Sequence, residues 1–280
     1  MEMIFNEEQI RQFKSTLLLE EKSPATIQKY LRDVEKFRLF AQDQPVTKET
    51  VLAYKEHLLE NYAVSSANTM LVSLNCFFSW MERPDLRVKT VKCQRDTFCG
   101  EKELTKAEYR RLLDTAQRQK KLRLKLVMET ICATGIRVSE LRFITAEAVS
   151  SGTARVTCKG KHRQILLPRE LCKRLRKFCR ERRILSGPVF VTKSGKALDR
   201  SNIWAAMKKL CRDAHVAAEK VYPHNLRHLF ARMFLTIEKD IAKLADVLGH
   251  SSLNTTRIYT LSSGEEHRAR LDQLSMVLLQ

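Results

Sequence analysis

Four short stretches of the sequence concentrate side chains able to handle a phosphate. "LGHSSLNTTRIYTLSS" holds His250 nine residues before Tyr259, in a run rich in Ser and Thr. A phenol is a poor nucleophile until something accepts its proton, so a tyrosine kept in a polar segment is a candidate nucleophile awaiting a base. The plainer alternative is a ring packed in a core. "PHNLRHLFARMFLTI" winds, at about 100° per residue, into a helix with Leu226, Leu229, Phe230, Met233, Phe234 and Ile237 on one side and His224, Arg227, His228 and Ala231 on the other. An imidazole and a guanidinium then share a face one turn apart near a helix N-terminus, where free N–H groups favour anions. Taken alone, this H-x-x-R spacing is equally met by a surface His–Arg pair.

"CATGIRVSEL" breaks one helix at Gly135 and puts Arg137 at the start of the next element. A guanidinium grips a phosphate bidentately and an ammonium does not. Arg137 and Arg227 together are therefore suited to hold both non-bridging oxygens of one phosphodiester. Glu140 also suits a structural ion pair with an arginine. "CKGKHR" sets Lys159 and Lys161 at a hairpin tip, fit either to clamp a phosphate or to protonate a leaving oxygen, with Arg163 following as a further DNA-binding candidate.

The totals narrow the partner. The 280 residues carry a net charge of +19, and no apolar run reaches the roughly 20 residues of a membrane span. The opening "MEMIFNEEQI" has no signal-peptide pattern, so the expected compartment is the cytoplasm. Eight cysteines are scattered without a C-x-x-C pair, which argues for reduced thiols and against a zinc site or disulfide framework. The charge is lopsided: residues 1–95 hold 14 Lys/Arg against 13 Asp/Glu, whereas residues 96–280 hold 37 against 19. A block of that size is the electrostatic footprint of a polyanion, most often nucleic acid.

The elements that must position these groups are mainly helical. "NEEQIRQFKSTLLLE", "SPATIQKYLRDVEKFRLFAQ", "TKETVLAYKEHLLENY" and "SSANTMLVSLNCFFSWMER" form a four-helix unit over residues 1–83. Ser23 as N-cap with Pro24 at the first helical position is a start signal. Ile27, Tyr30, Leu31, Val34, Phe37 and Leu39–Phe40 are its expected buried stripe, and Lys22, Lys29, Arg32 and Lys36 are left to face phosphates. Residues 84–103, with Pro84 and Gly100, read as a linker. Residues 104–280 read as an α+β domain with two short strand pairs, "TARVTCKGKHRQILLP" and "GPVFVTKSGKALD", and a final helix with an apolar end. The basic helix "PRELCKRLRKFCRERR" fits a solvated face and a phosphate contact equally. The fold class is thus mainly α with a small β component.

In order, Arg137, Lys159, His224-x-x-Arg227, His250 and Tyr259 resemble the boxes of the tyrosine recombinase (phage integrase) family, closest to the compact Xer-type recombinases, on the segments "ATGIRVSEL", "KGKHR", "HNLRH" and "LGHSSLNTTRIY". The resemblance covers residues 100–265 strongly and the helical N-terminal part more weakly. It implies a SAM-like core-binding domain and a catalytic domain closing as a C-shaped clamp on double-stranded DNA. It implies attack by Tyr259 on a DNA phosphate, giving a 3′-phosphotyrosyl link and a free 5′-hydroxyl, without metal, ATP or other cofactor. Arg137 and Arg227 would stabilise the transition state, Lys159 would protonate the leaving oxygen, His224 would assist proton transfer, His250 would bond the phosphate, and Glu140 and His228 would orient the site. Cys158 stands where the family often has glycine, and Lys161 is close enough to take the acid role instead. The C-terminal helix would link protomers, giving a homo-tetramer on paired sites or a tetramer shared with a second recombinase, acting at the nucleoid. A type IB topoisomerase and a catalytically silent DNA-binding protein are the alternatives. An RNA-binding role lacks an aromatic stacking platform.

Overall fold

The computed structural model describes residues 6–42, 45–92, 103–158, 161–192, 194–250, 252–259 and 272. These divide into two compact units, residues 1–95 and 96–280. Among the described residues, no helix is long and apolar enough to cross a membrane.

The first unit is built from α1 (Glu7–Leu19), α2 (Pro24–Ala41), α3 (Lys48–Asn61) and α4 (Val64–Trp80). Their starts follow the sequence signals. The side chains of Asn6, Ser23 and Thr47 accept from the backbone N–H of Gln9, Thr26 and Thr50, relieving donors that have no partner within the helix. The helices close over Phe13, Leu17, Val34, Phe37, Val51, Leu71, Leu74 and Phe77, all at most 1% exposed. Leu39 departs from the expected stripe: it is 62% exposed, because Val34, Phe37 and Ala41 already complete the inward row of α2. The linker also starts later than residue 84. Pro84–Leu86 is a 3₁₀ turn, Leu86 and Val88 join the core, and the amides of Asn75 and Asn68 bond the backbone of Val88 and Val91 in both directions. Residues 93–102 lie outside the described residues.

The second unit runs α5 (Lys106–Arg118), α6 (Leu122–Thr134), a 3₁₀ helix Val138–Phe143, α7 (Ala146–Ser151), β1 (Thr153–Cys158), β2 (Lys161–Leu166), α8 (Arg169–Arg182), α9 (Arg200–Lys208), α10 (Cys211–Ala214), α11 (Pro223–Ile237), α12 (Ile241–Leu248), α13 (Leu253–Thr256) and a 3₁₀ turn Arg257–Tyr259. β1 and β2 pair antiparallel, from Thr153 opposite Leu166 to Cys158 opposite Lys161. The second expected strand pair does not form. Residues 188–197 make two isolated bridges, Thr145 with Pro188 and Val191 with Ala197, because the turn at Ser194–Gly195 closes at once and Pro188 has no N–H to extend a ladder. The C-terminal helix expected after Gly264 lies outside the described residues, Asp272 excepted.

α6 and α11 are the centre of this unit. Val127, Met128, Ile131, Ile136 and Leu226 are at most 0% exposed in its main core. Ala231, Leu244, Leu248 and Tyr259 form a smaller cluster with Phe230, Phe234, Leu235 and Ile258 around it. The two-sided reading of α11 needs correction. Its polar side is buried at Arg227 and Ala231, while Met233 and Ile237 of the apolar side are 37% and 86% exposed. The first half of α11 is enclosed on both sides except at His224, and its far end reaches the surface.

The end of α6 shows how tightly these parts meet. Gly135 caps the helix at φ +66, and a Cβ there would lie 2.8 Å from Leu248 Cδ2 and closer still to the Phe230 ring. Gly135→Ala combines left-handed strain with overpacking, and the expected cost is about 2–4 kcal/mol. Urea or thermal unfolding of the variant checks this, and wild-type stability would contradict the packing described.

Candidate active site

The site gathers where α6 ends, α11 begins and α12 ends. Arg227 lies on the second turn of α11 and is 1% exposed. A guanidinium buried to that extent must find acceptors, since an unpaired buried charge is very costly. Helix C-termini supply them, because their last carbonyls have no intrahelical partner. Arg227 Nη1 donates to Gly135 O, at the end of α6, over 2.6 Å, and Nη2 donates to Leu248 O, at the end of α12, over 2.9 Å. Nη2 also lies 2.7 Å from His250 Nε2. Arg227 Nε is buried and has no hydrogen-bond partner among the described residues.

That geometry fixes the histidine tautomer. A guanidinium has only donors, so His250 Nε2 must be the acceptor and the proton must sit on Nδ1. Nδ1 is 2.9 Å from Oγ1 of the fully buried Thr256, which accepts that proton's hydrogen bond. His250 is therefore held as a neutral imidazole. Burial and the charges of Arg227, Arg137, Arg163 and His224 push its pKa down to about 4.

Arg137 caps the 3₁₀ helix that follows Gly135. Its Nη1 bonds Glu140 Oε1 at 3.2 Å and its backbone N–H bonds Oε2 at 2.7 Å. Its side chain remains 41% exposed, while that of Glu140 is 2% exposed. Its charge is felt at Arg227, His224 and His250, lowering the pKa of each. For Arg227 burial is the larger cause, and the nearby Tyr259 side chain acts in the opposite sense.

Tyr259 is 4% exposed, so the polar look of its sequence neighbourhood did not mean an exposed ring. The ring stands edge-on to His228 at 4.8 Å and parallel to His250 at 6.2 Å between centroids. Its hydrocarbon side closes the small cluster of Ala231, Leu244 and Leu248. His228 in turn meets His224 edge-on at 4.8 Å. Burial, then His224 and Arg227, push the His228 pKa down to about 4. His224 is the most accessible of the three, and its pKa is lowered by burial first and then by Arg227, Arg137 and Arg200.

Arg137, Glu140, His224, Arg227, His228, His250 and Tyr259 are thus brought together by the fold. Lys159 lies outside the described residues, and Lys161 begins β2 opposite Cys158. Arg163, expected as a DNA contact, turns inward: Nη2 bonds Glu140 Oε2 at 2.6 Å and Nη1 bonds Val247 O at 2.7 Å. In the first unit Lys29 Nζ is taken up by Asp33, Ser73 and Thr69 O at 2.6–3.0 Å, so its three protons serve the helix packing. Lys36 lies over the Tyr62 ring, Lys22 pairs with Glu20 at 3.3 Å, and Arg32 keeps a side chain 66% exposed beside Asp33. Sequence reasoning missed Thr256, whose hydroxyl sets the His250 tautomer, and Arg200, at the start of α9 near His224. The i,i+6 spacing of Thr256 from His250 carries no helical or strand signal.

Charge is out of balance here. The guanidiniums of Arg137, Arg163 and Arg227 surround one carboxylate, Glu140, and three imidazoles are held neutral. Such a cluster is completed by an anion. The 590 Å³ cavity between α6 and α8, at Leu122, Phe178, Val189 and Ala206, is lined by none of these residues.

The comparisons agree with this chemistry. The Phage integrase family profile matches residues 102–266, and the Phage integrase, N-terminal SAM-like domain profile matches residues 10–84. Tyrosine recombinase XerA of Pyrococcus furiosus is 27% identical over 285 residues, covering 99% of this chain and 97% of the relative. Tyrosine recombinase XerD of Vibrio cholerae serotype O1 is 31% identical over 288 residues, covering 95% and 94%. A lambda integrase (residues 75–356) dimer bound to a COC′ core site has a similar fold, with a TM-score of 0.75 at 18% identity over 92% of this chain and 95% of that one. So has a lambda integrase tetramer bound to a Holliday junction, with a TM-score of 0.71 at 18% identity over 88% and 77%. Nothing here favours the topoisomerase or the silent DNA-binding alternative.

The two depressed histidines set a pH dependence. Their folded pKa of about 4 lies below the ordinary 6.5, so between those values the unfolded chain binds more protons than the folded one. Stability therefore falls as pH drops from about 6.5 to about 4 and rises in the other direction. Thermal melts across this range are expected to show a shallower slope for a His228→Gln/His250→Gln variant than for the wild type. Equal slopes would show that these rings are not held neutral.

Proposed function

This chain belongs to the phage integrase family and is a tyrosine recombinase, and on that premise we propose how its own residues carry out site-specific strand exchange. The observation that carries the assignment is a buried tyrosine packed against His228 and His250, the latter held on the buried Arg227, inside a cluster short of negative charge. Tyr259 Oη is the nucleophile. It attacks the scissile phosphorus, the bond from phosphorus to the 5′-oxygen breaks, and a 3′-phosphotyrosyl link remains. The 5′-hydroxyl of a partner strand then attacks that link and frees the tyrosine. One phosphoester bond is made for each one broken, so the exchange conserves bond energy.

Arg137 and Arg227 hold the non-bridging oxygens, whose charge grows at the transition state. The exposed side of the Arg137 fork receives the phosphate, and Arg227 is the fixed, desolvated member of the pair. A neutral His224 can take the tyrosine proton, which an imidazolium could not. His250, aligned by Thr256, adds a ring nitrogen beside Arg227. Glu140 and His228 orient the arginine and the phenol. Lys159 is assigned to protonate the departing 5′-oxygen, with Lys161 as its substitute.

The substrate is double-stranded DNA, and the lambda integrase complexes support a tetramer on paired sites as the working assembly. The C-terminal segment after Gly264 is assigned to contacts between protomers, which are identical or shared with a second recombinase. The four-helix unit, with residues 84–91 packed on it, is assigned as the core-binding domain and residues 104–280 as the catalytic domain, with Lys22, Arg32 and Lys36 as the phosphate-facing cations of the former. A role on double-stranded DNA supports the nucleoid as its place of action.

A suicide substrate, nicked so that the cleaved strand diffuses away, tests the chemistry. The wild type is expected to form a covalent protein–DNA adduct. Tyr259→Phe keeps the packing and removes the oxygen, so DNA binding persists while the adduct disappears. Arg137→Lys loses the fork and is expected to slow adduct formation about 10²–10³-fold. An adduct with Tyr259→Phe would show that another residue is the nucleophile.

A further inference from the structure

We propose that Arg163 is a positioning residue of this site: it neutralises Glu140 and ties it to the end of α12, leaving Arg137 free to grip the phosphate. The proposal rests on the recombinase reading and extends it to a residue outside the nucleophile, acid and phosphate-binding set.

The geometry is specific. Glu140 is 2% exposed and its two oxygens receive three donors: Arg137 Nη1 on Oε1, and both the Arg137 backbone N–H and Arg163 Nη2 on Oε2. The contact from Arg163, at 2.6 Å, is shorter than the 3.2 Å contact from the Arg137 side chain. The Arg163 side chain is 15% exposed, against 41% for Arg137. Burial strengthens a charge pair, so the enclosed arginine carries most of the duty of neutralising the carboxylate. Without it, a buried carboxylate would face Arg137 alone and draw that guanidinium down onto itself. An arginine spent on a carboxylate has fewer N–H groups for a phosphate.

The other end of the Arg163 fork supports a second duty. Nη1 bonds Val247 O, and the next carbonyl, Leu248 O, is the one that Arg227 holds. Two arginines thus occupy successive carbonyls at the end of α12, where the helix dipole favours cations. Gly249 follows at φ +65, and a Cβ there would come within 2.6 Å of Arg163 Cδ and 3.0 Å of its Nε. The bare backbone at Gly249 is what lets the Arg163 stem pass. His250 comes next, so Arg163 fixes the strand, the Arg137–Glu140 pair and the segment carrying His250 relative to one another. In sequence Arg163 follows Lys159 by four residues and Lys161 by two, which makes it the link between strand β2 and the rest of the site.

A double-mutant cycle tests this. Arg163→Met keeps the stem and removes the charge, and Arg163→Lys keeps the charge but cannot reach Glu140 and Val247 O together. Site-DNA affinity at several salt concentrations and the single-turnover rate of adduct formation are measured for both, for Arg137→Ala and for Arg137→Ala/Arg163→Met. Expected are unchanged affinity for the Arg163 variants, a rate about 30–100-fold lower for Arg163→Met and about 10-fold lower for Arg163→Lys, and a double variant within about threefold of Arg137→Ala, because most of the second loss acts through Arg137 and only the hold on Val247 O remains to be lost. Losses that multiply would overturn the proposal. So would weakened binding with a smaller salt slope, which marks a direct DNA phosphate contact. If Arg163→Met fails to fold, a wild-type rate for Arg163→Lys overturns it equally. A wild-type chain that forms no adduct would bring down the recombinase reading and this assignment with it, whereas an active wild type with multiplying losses brings down this assignment alone.

Discussion

The second unit is organised around the need to satisfy one buried guanidinium. Arg227 has no access to water, so its N–H groups must be met by protein acceptors. Two helices supply carbonyls at their C-terminal ends, Gly135 O from α6 and Leu248 O from α12. Both helices end in a glycine with positive φ, which lets the chain turn away sharply and leaves those carbonyls uncovered. The approach is close enough that a side chain at Gly135 would strike Phe230 and Leu248. Backbone, arginine and glycines are thus parts of one solution, and weakening any of them loosens the rest.

The same constraint spreads outward to the ionisation of the site. Because Arg227 can only donate, His250 must present a lone pair and pass its proton to Thr256. Because the rings are partly buried, and because several cations stand beside them, the imidazoles of His224, His228 and His250 are disfavoured as cations themselves. The outcome is a site that keeps proton acceptors neutral near neutral pH while holding more positive charge than its single carboxylate offsets. An incoming phosphodiester corrects that imbalance. The preorganised positive charge is thereby available to stabilise the charged transition state.

The first unit follows a different logic. Its aromatic core, with Phe13 edge-on to Phe77 and Phe37 edge-on to Tyr54 and Phe78, supplies burial, and its one strongly buried carboxylate, Asp33, is satisfied by Lys29 and Ser73. Lys29 illustrates why a lysine on a helix cannot be assigned to DNA from its charge. A cation four residues before a carboxylate on the same face has an internal partner within reach, and here the partner is buried. Arg163 makes the same point in a strand, where a basic residue beside a basic hairpin tip turned inward because the carboxylate of Glu140 lay beneath it.

The sequence by itself determined the helical character, the caps at Asn6, Ser23, Thr47 and Thr105, the breaks at Gly135 and Gly249, and the residue types gathered at the site, because each is a local property of neighbouring residues. The order of Arg137, His224, Arg227, His250 and Tyr259 was also legible, since chemistry restricts which side chains can hold and attack a phosphate. Only the tertiary structure decided that Arg227 and Tyr259 are buried, that α11 is enclosed on two sides, that Thr256 sets a tautomer, and that Arg163 and Lys29 serve inward partners. It also decided that the second hairpin shrinks to a single Val191–Ala197 bridge, with Pro188 bridging to Thr145. Burial and ion pairing depend on what lies across the space between elements far apart in the chain, and periodicity along one element carries no record of that.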